Sequence, residues 1–273
     1  MKPIIVDGKK IAEEILDEVK DGISKRNLSP SLHVILAGTD PASLVYVKKK
    51  EEACKKVGVS FFLHQPNNQS EILSLIKKLN EDSSATGILV QLPLPEGFSQ
   101  EEIIQSIDPK KDVDGLTAAN LGFLFSGNPK IVPATVVAVS EILKRHNVSC
   151  FGKKAVVVGR SVLVGLPVFA LLKNLDATVT LCHSKTKDLK KELLDADIVV
   201  SAVGKRGIIT KEMVKDGVVV IGCGIVREEN KVFGDVFSEV STKASVFTPV
   251  PGGVGPMTVA CLLKNLVSLA SNK

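Results

Sequence analysis

The chain has 273 residues, enough for one large domain or two of ordinary size, and its 44% hydrophobic and 24% charged content excludes a disordered chain. A net charge of +5 without a long basic block, no Trp and a single Tyr argue against nucleic acid as a partner and leave anionic small ligands open. Five cysteines lack a C-x-x-C pair or zinc-spaced histidines, so free thiols and no metal are expected; with no secretory segment in residues 1–10 and no apolar run approaching a membrane span, the expected location is cytoplasmic, with no membrane partner.

Short β-branched runs alternate with helical patterns, the order of a parallel α/β architecture. Ile11, Ile15, Leu16, Val19 and Ile23 recur at helical spacing within 9–26, and 32–36 reads as a buried strand. Asp40 as N-cap and Pro41 at the first position open a second helix, to about Val57. A strand over 59–63, a helix over 70–79 and a strand over 87–91 complete a βαβαβ succession. Leu92-Pro-Leu-Pro95 then breaks regular structure at a strand's carboxyl end, where open α/β sheets bind ligands. Ser126-Gly-Asn-Pro129 and Pro133 punctuate the chain before a helix over 135–146. From Lys154 the pattern restarts, with strands at 155–158, 178–182, 197–202 and 218–221 and helices near 167–175 and 187–194. Pro249-Val-Pro-Gly-Gly-Val-Gly-Pro256 is a shaped loop in which glycine allows close approach to a ligand and proline fixes the approach. Pro256 suits the first turn of a C-terminal helix, which is expected to pack back on the first domain.

Gly159-Arg-Ser-Val-Leu-Val-Gly165 lies between a strand and a helix, as a nucleotide-binding turn does, although serine replaces the second glycine of G-x-G-x-x-G and the third is displaced. The turn would aim helix N–H groups at a pyrophosphate, and Ser161 adds a hydroxyl donor. After the next strand, Cys182-His-Ser-Lys-Thr186 lacks the carboxylate that binds a ribose 2′-hydroxyl; Ser184, Lys185 and Arg160 suit a 2′-phosphate, favouring NADP over NAD, while His183 also reads as a capping histidine. In the first half, Tyr46 and Lys50 share a helix face; the Lys-rich turn reads as a solvated face, or else crowding by Lys48 and Lys49 together with partial burial would depress the Lys50 amine toward a range useful in proton transfer. Gln91 and Asp114 read as a strand-end amide and a loop-capping carboxylate, or as site residues by their shared expected location outside strand ends and beside the Pro-Gly loop.

Together Tyr46-x-x-x-Lys50, Val90-Gln-Leu-Pro-Leu-Pro95, Lys111-Asp-Val-Asp-Gly115 with Asn120, Gly159-Arg-Ser-x-x-Val-Gly-x-Pro167, Cys182-His-Ser-Lys-Thr186 and Thr248-Pro-Val-Pro-Gly-Gly-Val-Gly-Pro-Met-Thr258 resemble the bifunctional methylenetetrahydrofolate dehydrogenase/methenyltetrahydrofolate cyclohydrolase family. The resemblance implies an α/β fold of two domains: a folate-binding catalytic domain over 1–145, joined by a returning helix at 256–273, and a Rossmann-like NADP-binding domain with a mainly parallel sheet over 146–255. A folate cleft would lie between them, in a homodimer. It implies oxidation of 5,10-methylenetetrahydrofolate with NADP and hydrolysis of the product to 10-formyltetrahydrofolate. Lys50 would be the catalytic lysine, Tyr46 would stack on the folate, Gln91 would tune Lys50 and Asp114 would hold the pterin ring, with Pro251, Gly252 and Gly253 as further substrate contacts. Gly159, Arg160, Ser161, Ser184 and Ile225 would meet NADP, joined by Lys185 from the reading of the turn above. Ala134, Val136, Gly222 and Glu52 depart from the family's usual residues, and Gly222, where the family has Asp, weakens the assignment of Ile225. A dehydrogenase-only relative and a non-catalytic nucleotide-binding α/β protein are the alternatives.

Overall fold

The computed structural model describes residues 2–229 and 231–271. In chain order the elements are β1 (Ile4–Ile5), α1 (Gly8–Lys25), β2 (Ser31–Ile35), α2 (Pro41–Val57), β3 (Ser60–His64), α3 (Gln69–Glu81), β4 (Gly87–Val90), α4 (Gln100–Gln105), α5 (Ala118–Phe125) and α6 (Ala134–Arg145). They continue with β5 (Lys154–Val158), α7 (Gly165–Asn174), β6 (Thr178–Cys182), α8 (Leu189–Leu193), β7 (Ile198–Ser201), β8 (Val218–Gly222), β9 (Ile225–Glu228), β10 (Lys231–Gly234), β11 (Ala244–Phe247) and α9 (Val254–Ser271). The chain divides into two compact units. One gathers Ala12–Phe123, Pro129–Ala134 and the chain from Val259 on; the other gathers the chain up to Ile11, Leu124–Asn128 and Thr135–Thr258.

The unit that holds Lys50 is built on a parallel three-stranded sheet in the order β3-β2-β4. Its middle strand is buried at every residue, because α3 and neighbouring segments cover it with Ile72, Ile76, Leu79, Ile103 and Ile107. α2 starts where its cap chemistry says: Asp40 accepts from the Ser43 N–H at 2.8 Å, and Gly58 ends the helix in the left-handed region at φ 83°. Within this unit α9 is tied down by Asn265, whose side-chain amide donates to the carbonyls of Val113 (3.0 Å) and Val132 (2.8 Å). α9 also corrects the expectation that no apolar run approaches a membrane span: its 18 residues have a mean hydropathy of 1.3, and 56% of that stretch is buried in the protein itself.

The unit that holds Gly159 carries a parallel six-stranded sheet in the order β1-β11-β8-β7-β5-β6 and an antiparallel hairpin, β9-β10. β5 lies between β6 and β7, so the chain leaves β5 to one side and returns on the other. That reversal places a topological switch point at the carboxyl end of β5, where Gly159 follows. The core is Val156, Val158, Val199, Val218, Val220 and their neighbours, a set of β-branched residues suited to strands covered on both faces.

Candidate active site and cofactor turn

Tyr46, Lys50 and Cys54 succeed one another at helical spacing along α2, and the end of β4 faces them. Lys50 Nζ donates to Gln91 Oε1 at 2.7 Å. The Gln91 amide is held in that orientation from both ends: its Nε2 donates to the Leu92 carbonyl at 2.6 Å, which leaves Oε1 to accept. Its backbone N–H continues the sheet onto Ile35 O at 2.9 Å, so a buried strand end fixes the partner of the amine. The Tyr46 ring centroid lies 5.9 Å from Lys50 Nζ.

Burial depresses the Lys50 amine below its ordinary value, opposed by the negative charge of Asp114. The crowding by Lys48 and Lys49 expected from the sequence is not the cause: both side chains are exposed, and desolvation carries the effect. Asp114 moves the other way, to about 6, first through burial and then through the neighbouring Asp112, with Lys50 and the Ala134 N–H pulling it back. An amine and a carboxyl in one site are thus both pushed toward their neutral forms, the direction that suits an acid/base pair. Gly115 makes the Asp114 position attainable, because its φ of 66° and its contact with the Val132 backbone leave no room for a Cβ.

Two residues of this site escape a reading of the sequence for chemistry. Cys54 is fully buried four residues past Lys50, its thiol pushed up to about 12, first by burial. Asp112 accepts from the Thr117 N–H (2.8 Å) and the Asn120 amide (2.9 Å), anchoring the loop that carries Asp114. The Asp-x-Asp spacing was the available signal.

In the other unit, β5 runs into a turn that only glycine can make. Gly159 has a φ of 116°, and a Cβ there would overlap the Ala202 carbonyl; a Cβ on Gly165 would overlap the Gly159 carbonyl. The Ser161 hydroxyl accepts from the N–H groups of Val164 (3.2 Å) and Gly165 (3.4 Å), which leaves its own proton for a ligand at the mouth of α7. Arg160 and Ser161 are exposed, as are Ser184 and Lys185 in the turn after β6. His183 caps that turn, its Nδ1 accepting from the Lys185 N–H at 3.1 Å. Ile225 begins β9 and is 40% exposed. A glycine-lined turn at a helix N-terminus, with basic side chains and no carboxylate at the following strand end, fits a phosphate-bearing dinucleotide.

The Pro-Gly loop is shaped by its own chain. A Cβ on Gly253 would crowd Thr248 and the Pro249 carbonyl, and the Gly252 carbonyl accepts from Gly8 N–H at 2.8 Å. Gly252 is required by its φ of 107° alone, since nothing stands where its Cβ would be. Pro251 is exposed. Of the departures from the resembled family, Glu52 is exposed, and Gly222 donates its N–H to Thr248 Oγ1 at 2.7 Å, where an added Cβ would meet Val236 and Thr248 at ordinary contact distance.

Residues 6–114 match the model of the tetrahydrofolate dehydrogenase/cyclohydrolase catalytic domain and residues 133–273 that of its NAD(P)-binding domain. A bifunctional protein FolD from Methanosphaerula palustris is 47% identical over 98% of this chain and 97% of its own length. Among solved structures, the bifunctional FolD methylenetetrahydrofolate dehydrogenase/cyclohydrolase of Campylobacter jejuni superposes with a TM-score of 0.95 at 43% identity, covering 98% of each chain. The Trypanosoma brucei enzyme, solved with NADP cofactor and an inhibitor, gives a TM-score of 0.94 at 36% identity over 100% of this chain and 98% of its own. With both halves matched and near-equal length, the chain belongs to the tetrahydrofolate dehydrogenase/cyclohydrolase family.

Proposed function

We propose that this chain oxidises 5,10-methylenetetrahydrofolate to the 5,10-methenyl cation with NADP and then hydrolyses the cation to 10-formyltetrahydrofolate, supplying one-carbon units. The observation that carries the reading is the buried Lys50 amine, depressed below its ordinary value and held at 2.7 Å by Gln91. Folate catalysis is assigned to 1–145 with 256–273, and cofactor binding to 146–255.

Bound NADP supplies the hydride acceptor for the first reaction. The positive charge left on the substrate is shared by its own two nitrogens, so the protein's work there is positioning. The Gly159 turn and the N-terminus of α7 would hold the pyrophosphate, with Ser161 donating to it; Arg160, Ser184 and Lys185 would meet the 2′-phosphate, and Ile225 would be a further cofactor contact. Tyr46 stacks on the folate and Asp114 hydrogen-bonds its pterin ring; Pro251, Gly252 and Gly253 are further folate contacts.

Hydrolysis needs proton movement. Water adds to the methenyl carbon and gives a proton to Lys50, whose neutral, proton-accepting form is the one that burial favours. The carbon–N5 bond then breaks with its electron pair going to N5, which receives the proton from Lys50. The remaining hydroxyl proton leaves to solvent as the formyl C=O forms. Gln91 keeps the Lys50 nitrogen in place for both transfers. The chain acts as a homodimer in the cytoplasm, the former checked by light scattering.

The deciding assay supplies methylenetetrahydrofolate with NADP and NAD in parallel and follows absorbance. The expected result is methenyl formation preferring NADP. No cofactor-dependent change would favour a non-catalytic nucleotide-binding protein, and preference for NAD would remove Arg160, Ser184 and Lys185 from 2′-phosphate recognition.

A further inference from the structure

The carboxyl ends of β7 and β8 surround a buried carboxylate that neither the proton chemistry nor the phosphate turn uses. Asp235 follows β10 and is 0% exposed. Its Oδ2 accepts from Ser201 Oγ (2.8 Å) and the Val203 N–H (2.7 Å), and its Oδ1 accepts from the Lys205 N–H (2.9 Å). All three donors lie on 201–205, the end of β7 and the turn after it. One side chain therefore sets the path of that turn, and loss of the carboxylate would leave the Ser201 hydroxyl buried without its partner and the Val203 and Lys205 N–H groups without the acceptor that holds them.

The tie extends in two directions. Ala202, between the anchored residues 201 and 203, donates its N–H to Val158 O at 2.7 Å, and its carbonyl occupies the space where a Cβ on Gly159 would be. The backbone of the Gly159 turn thus rests on the stretch that Asp235 holds. On the other side, Ser201 O accepts from the N–H groups of Cys223 (2.7 Å) and Gly224 (3.2 Å), and a Cβ on Gly224 would overlap the Asp235 carboxylate. Glycine is demanded immediately before Ile225 by the same side chain.

The geometry points to Asp235 as a positioning residue of the cofactor site, which sets the Gly159 turn and the 223–225 segment in register through 201–205. This rests on Gly159, Arg160, Ser161 and Ile225 being NADP contacts. The test titrates NADPH by fluorescence into wild type, Asp235→Asn and Ser201→Ala, and measures methenyl hydrolysis without cofactor in the same preparations. Asn keeps the size of Asp but turns an amide N–H₂ toward N–H donors, whereas Ser201→Ala removes one donor and leaves the other two bonds intact. The NADPH Kd is expected to rise about tenfold or more in Asp235→Asn, the effect of losing a hydrogen bond to a charged group, and by less in Ser201→Ala, with methenyl hydrolysis unchanged in both. A loss of hydrolysis and NADPH binding in equal proportion would mean a general structural role and overturn the assignment. If Asp235→Asn does not fold, Ser201→Ala decides, and an unchanged Kd overturns it. If wild type binds no NADPH, the cofactor reading fails and takes this assignment with it; if wild type binds and both variants match it, only the assignment falls.

Discussion

Gly159→Ala is the sharpest perturbation of the cofactor turn. The φ of 116° lies where an L-residue costs of order 1–3 kcal/mol. The new Cβ would also stand closer to the Ala202 carbonyl than the 3.0 Å that real Cβ atoms keep. Neither side yields easily: Ala202 N–H is bonded to Val158 O at 2.7 Å, and Gly159 N–H to Cys182 O at 2.9 Å, so relief must come from displacing strand ends. Overpacking of that kind adds about 1–3 kcal/mol. At roughly 2–4 °C of melting temperature per kcal/mol for a chain of this size, the expected fall is about 10 °C. A turn that relaxes away from Ala202 carries the first N–H groups of α7 with it, and losing one hydrogen bond to a charged phosphate is expected to weaken NADPH binding by roughly 10- to 100-fold. Thermal melts with and without NADPH, a fluorescence titration, and methenyl hydrolysis below the melting temperature give the readouts. Hydrolysis should persist. A variant with wild-type melting and wild-type NADPH affinity would refute the reasoning, because the turn would then not be held as its contacts require.

Asp112→Asn removes a charge that raises Asp114 and retains one acceptor for the loop, so Asp114 should titrate below about 6; a carboxyl-resolved NMR titration checks this, and an unmoved value means burial alone sets it. The sign follows from the carboxyl: with less opposition to its charge, Asp114 ionises at lower pH, and the acid limb of the dehydrogenase pH profile should move the same way. Gly115→Ala, at a φ of 66° and with Val132 C 2.8 Å from the added Cβ, should lower thermal stability and displace Asp114. Arg160→Met and Lys185→Met should raise the KM for NADP without changing that for NAD. Equal effects on both cofactors would mean that neither side chain meets the 2′-phosphate.

Much of the fold was legible because its signals are local. Asp40 and Pro41 mark the start of α2 through cap chemistry that needs no partner, and Thr178–Cys182 reads as a strand from its own composition. β1 did not: two residues pair Ile4 with Val246 and Ile5 with Phe247, and nothing local in either segment announces a partner so distant in the chain. The same holds for the site. Tyr46 and Lys50 are found by helical spacing, but the cause of the depressed amine is tertiary burial, which Lys48 and Lys49 only imitate in the sequence. Asp235 acts through residues that precede it by 30 to 34 positions, so its role emerges only when strand ends meet. The Pro-Gly loop taught the reverse lesson: Gly253 is explained by Thr248 and Pro249 of its own chain, before any ligand is considered.

The placement of proton transfer on Lys50 is tested most directly by Lys50→Ala, with methenyl hydrolysis followed by loss of methenyl absorbance and oxidation followed by NADP reduction in the same preparation. Hydrolysis is predicted to fall by about two orders of magnitude or more, the contribution of a lost general acid/base, while oxidation continues and methenyltetrahydrofolate accumulates. Hydrolysis left untouched would contradict it.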